Sequence, residues 1–335
     1  MSDNTPDKTP SKPLETTNIK SKLWAVGGGK GGIGKSIVSL NLAYWLAKLN
    51  QKVVLIDADL GGANLHTLLG IKFVKNTLAD YLNKRVKSLE DIAITTPVPG
   101  LRLICGASDI VGLANPQYLQ KQKIIKALQN LDADHLIMDL GAGSSYNTLD
   151  FFLNCNYKIA VITPQPTALQ NGYGFIKSAL YRSITITFKN NTLLAPLIDR
   201  ATDQNADEPI ASITELISAF EKVHPSHGEK LQQLINNFNL YLIANMVKTN
   251  KDRKAAEIIK TVIQKYLNID HITLLGSITF DRQIEESIAL MRPAFMNNTN
   301  NQSSLEFYEM VYDLIKQSNP DNNVNKPAAS TSNWQ

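Results

Sequence analysis

Residues 29–36, Gly-Lys-Gly-Gly-Ile-Gly-Lys-Ser, fit the pattern G-x-x-x-x-G-K-[ST]. These residue types at this spacing suit one task, the cradling of phosphate. Glycines let the backbone wrap close to phosphate oxygens, with successive N–H groups turned inward. A helix opening at the end of the loop adds its partial positive charge. Lys35 can reach the β- and γ-phosphates, and the Ser36 hydroxyl can ligate Mg²⁺. The candidate nucleotide-binding residues are therefore Gly29, Lys30, Gly31, Gly32, Ile33, Gly34, Lys35, Ser36 and Ile37.

Two further places supply carboxylates. Asp57 and Asp59 close an apolar run, Lys52–Asp57, and stand two residues apart, a spacing that can put both on one side of an extended chain. Two acids there make sense beside a cation. Asp139 closes a second apolar run, His135–Asp139, the pattern of a Walker B strand. It would bind Mg²⁺ through water, because Mg²⁺ keeps much of its hydration shell. Ser36, Asp57 and Asp139 are the candidate metal residues, and Lys35 is the candidate catalytic one.

These residues need a scaffold that gathers strand ends. Leu23–Gly27 is a short apolar run just before the loop, and Ser36–Asn50 carries Val38, Leu42, Leu46 and Leu49 at helical spacing just after it. Further buried-type strands are expected at 101–105, 135–140, 157–163, 240–246 and 272–278, with helices such as 117–131 and 168–183 between. Near-continuous apolar strands alternating with helices predict a mostly parallel α/β sheet covered on both faces. In such sheets ligands collect outside the carboxyl ends of the strands, where the loop and all three aspartates fall.

The segment 181–237 breaks this rhythm. It holds a polar stretch at 199–208 and two amphipathic patterns, Ile213/Leu216/Ile217/Phe220 and Leu231/Leu234/Ile235/Phe238. It reads as a helical insertion in a domain spanning 22–317. Residues 1–21 and 318–335, polar and without apolar periodicity, read as a disordered leader and tail.

Composition bounds the rest. The chain has 335 residues, 43% hydrophobic and 19% charged, which excludes a wholly disordered or collagen-like protein. No apolar stretch is long enough to span a membrane, and no signal peptide is expected at the start. Only two cysteines occur, Cys105 and Cys155, too isolated for a paired metal or redox site and suggesting a reducing compartment. The net charge of +4 neither requires nor excludes nucleic acid or an anionic membrane as partner.

The stretch KGGIGKS at 30–36 resembles the deviant Walker A signature of the MinD/ParA class of P-loop ATPases. The resemblance runs over roughly 23–316, interrupted by the insertion. ADLGGANLHTLLG at 58–70, MDLGAGSS at 138–145, ITPQPTALQNGYGFIK at 162–177 and GSITFDRQIEESIALMRPAF at 276–295 are similar to the flagellar-number regulators of the FlhG/FleN branch. The resemblance implies a P-loop NTPase fold, ATP and Mg²⁺ as ligands, and slow hydrolysis activated by dimerisation. It implies that Lys30 reaches the nucleotide of a second subunit in an ATP-bound homodimer. It gives Asp57 a place in the Mg²⁺ network, Asp59 the attacking water, Asn245 the adenine, and the Phe280-Asp281 turn a weaker base contact. The implied role is a spatial switch for flagellar number or placement. Partners would be flagellar assembly or switch proteins, including a signal-recognition-type GTPase. The location would be cytoplasmic, or peripheral at the inner face of the cell membrane. Two positions depart from the pattern: His66 stands where relatives often carry an acid, and Gln165 where a glutamate is usual.

Other readings turn on particular residues. Iron–sulfur relatives of the fold need paired cysteines. His224 and His227 could pair on a metal but lack a third ligand. A ParA-type partitioning ATPase needs a basic stripe for DNA phosphates, for which Lys248, Lys251, Arg253 and Lys254 are the candidates. The last helix, expected at 304–317, is acidic on its polar face, which favours packing on the core over lying on a membrane.

Overall fold

The computed structural model describes residues 21–59, 62–106, 118–203, 205–289 and 301–318. Among these residues eight strands form one sheet: β1 Lys22–Gly27, β2 Val53–Asp57, β3 Ala93–Thr95, β4 Leu101–Ile104, β5 His135–Asp139, β6 Tyr157–Ile162, β7 Leu240–Val247 and β8 Ile272–Thr279. Their order is β3-β4-β2-β5-β1-β6-β7-β8. Every pairing is parallel except β3 with β4. β3 escaped the sequence reading because it is a three-residue, half-exposed edge strand with too little pattern to register.

The helices are α1 Lys35–Lys48, α2 Leu65–Leu68, α3 Leu78–Leu82, α4 Tyr118–Leu128, α5 Tyr146–Leu153, α6 Pro166–Phe188, α7 Ala195–Thr202, α8 Ile213–Val223, α9 Pro225–Asn236, α10 Ala255–Leu267, α11 Arg282–Ala289 and α12 Gln302–Ser318. Strand side chains alternate between two cores, as the period of two demands. Leu23 and Ala25 face a core shared with helices α4–α10. Trp24 and Val26 face a second one, closed by α1 and α12.

The unusual segment is helical but begins later than expected. α6 runs straight through Tyr181 to Phe188, and the three extra helices α7–α9 follow. Phe220, Leu216, Leu231 and Ile235 are fully buried in the first core. Phe188 of α6 meets Phe220 edge-on at 5.1 Å between ring centroids. His224 and His227 lie at the start of α9, where the His224 ring accepts the Ser226 N–H and caps the helix. Both cysteines are buried, free thiols.

At the chain ends the expectations need adjusting. Ser21 already belongs to the fold: it is buried and donates its hydroxyl to the Ala133 carbonyl at 2.7 Å. Ser318 still ends α12. The expected leader over 1–20 and tail over 319–335 lie outside the described residues, as does the 290–295 part of the resemblance. α12 packs Phe307, Val311, Met310 and Ile315 into the second core, while Leu305 is 43% exposed.

Candidate nucleotide site

β1 lies at the centre of the sheet, and the chain leaves it toward β2 on one side and reaches β6 on the other. That strand reversal opens a crevice at the carboxyl ends. The phosphate loop fills it. Gly34 ends the loop at φ +83° and precedes the first turn of α1. A Cβ on Gly34 would lie 2.3 Å from the Asn245 amide nitrogen, so the position tolerates no side chain. At the other end, a Cβ on Gly29 would lie 2.0 Å from the Asn171 carbonyl of α6. The loop is thus pinned between α6 and β7.

Lys35 is buried at the helix start. Burial lowers its ammonium pKa, opposed by Asp139 and Asp59. Lys30 is exposed, on the open side of the loop. The two lysines of the loop therefore differ in kind: one faces inward to the acids and the other outward to solvent.

The acids converge. Asp57 and Asp139 are register partners on β2 and β5. Asp139 accepts the Ser39 hydroxyl at 2.9 Å and a hydrogen bond from Ser36. Asp57 accepts the N–H groups of Asp59 at 3.2 Å and Leu65 at 3.1 Å. Burial, reinforced by Asp139, pushes the Asp57 carboxyl up to about 7. Burial likewise pushes Asp139 to about 6, against the hydroxyls of Ser36 and Ser39 and the charge of Lys35. Two buried carboxyls with raised pKa values, facing each other beside a serine hydroxyl, are a donor set for a hard cation. Asp59 stands just past the end of β2 and is half-buried, so the loop rather than the strand pleat aims it. It lies against Gly141, whose hypothetical Cβ would sit 3.2 Å from an Asp59 carboxylate oxygen.

A cavity of about 280 Å³ adjoins the loop, lined by Gly32, Gly34, Ile37, Asn245, Met246, Thr279, Phe280, Asp281, Ile284, Glu285 and Ile288. It is apolar at the walls with a few polar groups, as a planar base would require. Asn245 reaches it through a bulge: Met246 has φ +57°, and the β7–β8 register slips between Ala244 and Val247. The Asn245 amide donates to the Ile33 carbonyl at 2.9 Å. Asp281 holds other parts of the protein, accepting from Gln283 N–H and the Ser303 hydroxyl, both at 2.8 Å. Ser39, Met246, Thr279 and the α11 side chains Ile284 and Ile288 join the site without having stood out in the sequence. Only Ser39, one helical turn after Lys35, carried a readable signal.

Of the basic stripe, Arg253 is tied to Glu306 at 2.8 Å and Lys248 lies 4.5 Å from the Phe280 ring centroid. Gln165 is exposed at the start of α6. His66 lies in α2, its Nε2 3.3 Å from the Thr67 hydroxyl. Among the described residues no group of three or more His, Cys, Asp or Glu side chains forms a separate metal cluster. Among them, too, no helix is long and apolar enough to cross a membrane.

A glycine loop between a central strand and a helix, with buried lysine and serine facing two aspartates, defines a P-loop nucleotide-binding protein. The chain belongs to the CobQ/CobB/MinD/ParA nucleotide binding domain family, whose model matches residues 24–294. It is similar to the antiactivator FleN of Pseudomonas aeruginosa, 37% identical over 155 residues, covering 46% of this chain and 54% of that protein. It is also similar to the flagellum site-determining protein YlxH of Helicobacter pylori, 35% identical over 189 residues, covering 54% of this chain and 62% of that one. The match thus spans little more than half of these relatives. Among solved structures, the septum site-determining protein MinD of Pyrococcus horikoshii, complexed with Mg-ADP, superposes with a TM-score of 0.61 at 21% identity. It covers 91% of this chain and 100% of its own. A ParA family ATPase of Chlorobium tepidum gives 0.59 at 17% identity, covering 87% and 99%. At those identities the likeness is one of fold, and the fold is the expected mostly parallel sheet clad in helices.

Proposed function

We propose that the chain is an Mg²⁺-dependent ATPase whose ATP-bound form dimerises and acts as a spatial switch, regulating flagellar number or placement. The observation that carries the reading is the division of the two loop lysines. Lys35 is buried beside Asp139 and Asp59, while Lys30 is exposed. A second, exposed lysine that forms no ion pair among the described residues suits a charge supplied to another subunit's nucleotide.

In this reading Gly29–Ser36 and Ile37 hold the phosphates, and the cavity beside Asn245 holds the base. Ser36, Asp57 and Asp139 hold Mg²⁺, consistent with the donor set they form. The metal supplies charge neutralisation on the phosphate oxygens. Asp59 orients the attacking water in line with the γ-phosphate. Lys35, together with Lys30 from the second subunit, stabilises the charge that develops on the transferred group. An arginine-finger-like group of this kind contributes about 10³–10⁵ in rate. Slow hydrolysis makes the nucleotide state itself the signal.

The flagellar assignment rests on YlxH, whose name is that of a flagellum site-determining protein, and on the motifs similar to the flagellar-number regulators. Assembly or switch proteins of the flagellum, including a signal-recognition-type GTPase, are the proposed partners. A MinD of Aquifex aeolicus has been solved with its partner MinC, an example of such docking in this fold. The proposed location is cytoplasmic, peripheral to the inner membrane face when a partner holds it there. DNA partitioning is the second reading, favoured by the ParA-like fold. It is weakened by Arg253, whose guanidinium is engaged within the chain.

The test is capture from native lysate with ATP-loaded Asp59→Ala, using Lys35→Ala as the nucleotide-free control. Flagellar proteins retained only by Asp59→Ala support the proposal. Chromosomal DNA or a centromere-type adaptor would transfer the assignment to partitioning. Identical catches from both variants would remove the nucleotide switch.

A further inference from the structure

β8 is an edge strand, and its last residue, Thr279, lines the apolar cavity beside the phosphate loop. The β7–β8 ladder is irregular there, because the bulge at Asn245–Met246 spoils the register. The Phe280 N–H still reaches the Val247 carbonyl at 2.8 Å. The Thr279 N–H instead goes to a side chain. Glu306 of α12 accepts it at 2.6 Å and accepts the Thr279 hydroxyl at 2.9 Å. Arg253, in the turn after β7, donates to Glu306 at 2.8 Å and to the Thr279 hydroxyl at 3.0 Å.

We propose that Glu306 is a positioning residue for nucleotide: acting through Thr279, it sets the base-facing wall of the cavity. The inference rests on reading that cavity as the base site. Glu306 does not line the cavity, so it works only through its partners. Its side chain is 10% exposed, and its carboxylate receives four hydrogen bonds, from Thr279 twice, Arg253 and Gln302. Burial favours its protonated form, but the hydrogen bonds from the Thr279 N–H, Arg253, the Thr279 hydroxyl and Gln302 outweigh it and hold the pKa below the usual carboxylate range. The group is therefore a fixed charge and not a switch.

A second tie works in parallel. The Ser303 hydroxyl and the Asn301 amide, at the start of α12, both donate to Asp281. α12 thus grips the residues on both sides of Phe280, and Phe280 is a wall of the cavity. Beside these ties, the broken ladder leaves the Phe280–Val247 bond to fix the end of the edge strand among the described residues. The same helix packs on α1, which begins at Lys35. One helix therefore braces the base side and the phosphate side against each other.

The experiment measures the affinity of the full chain for ATP and for inorganic tripolyphosphate, which has no base. Glu306→Gln offers one acceptor oxygen where the donors of Thr279, Arg253 and Gln302 share two. It should lower ATP affinity about tenfold, the scale of a hydrogen bond to a charged group, and leave tripolyphosphate affinity as in wild type. Hydrogen exchange at the Thr279 and Phe280 amides should rise in parallel. ATP affinity within about twofold of wild type overturns the proposal. So does an equal loss for both ligands, which would mean general loosening of the protein. If thermal melting shows Glu306→Gln unfolded, Thr279→Val takes its place. It keeps the backbone bond, loses the hydroxyl bond, and should show the same selectivity at about threefold; unchanged ATP affinity there overturns the proposal equally. A wild-type chain without ATP affinity would instead overturn the nucleotide reading itself.

Discussion

At the scale of single residues, the site depends on how few charged forms can coexist in a buried crevice. Asp57 and Asp139 have pKa values raised to about 7 and about 6 by burial. In the unfolded chain both ionise near 4. Between those values the folded protein binds more protons than the unfolded one, so rising pH weakens it until the folded pKa is passed. Mg²⁺ held between them, as proposed, would remove the penalty by pairing both charges. His135, held down to about 4 by burial and Lys22, works the other way over part of the same range. The informative quantity is therefore the difference between variants. Without Mg²⁺, Asp57→Asn should gain stability over wild type as pH is raised from 5 to 7.5, in denaturant titrations, and Mg²⁺ should stabilise only wild type. The lysines give a second expectation. Lys35→Ala should lose ATP binding, measured by calorimetry, whereas Lys30→Ala should retain it.

At the scale of elements, the phosphate loop works because its neighbours leave it a single conformation. Gly34→Ala would force a Cβ against the Asn245 amide at a position with φ +83°. The Asn245–Ile33 bond must then break, and nucleotide affinity should fall by at least about tenfold, the loss of a buried hydrogen bond plus backbone strain. The extra helices give the opposite expectation. Phe220 is fully buried against Phe188, far along α6 from the loop. Phe220→Ala should cost about 3–5 kcal/mol of stability, seen as a lower melting temperature. ATP affinity of the folded fraction should be unchanged, because no residue of α7–α9 lines the cavity at the loop.

At the scale of the whole molecule, hydrolysis should depend on protein concentration. Asp59→Ala should stay dimeric with ATP without turning it over, as read by light scattering after size exclusion. Normal hydrolysis by Asp59→Ala would show that the water is held by another group. Lys30→Ala should bind ATP and lose the concentration-dependent part of its activity. Normal concentration dependence in that variant would remove the trans role of Lys30.

The sequence by itself determined the loop, the central strand before it and the helix after it, because those signals are local. A glycine pattern, an apolar run and a 3.6-residue period each lie within a few residues. It also determined that Asp57, Asp59 and Asp139 fall at the ends of apolar runs, and hence at one edge of a parallel sheet. The tertiary structure alone decided which of these acids are buried and paired, since Asp57 and Asp139 meet only through the β2–β5 register. It decided that Asp59 is aimed by a loop, that α6 continues to Phe188, and that β3 exists as an edge strand. It also decided that Glu306 and Arg253, far apart along the chain, close on Thr279. Such contacts leave no period or motif in the chain. They arise from long-range packing, where one bulge in β7 and one helix laid on an edge strand fix which polar groups must find each other.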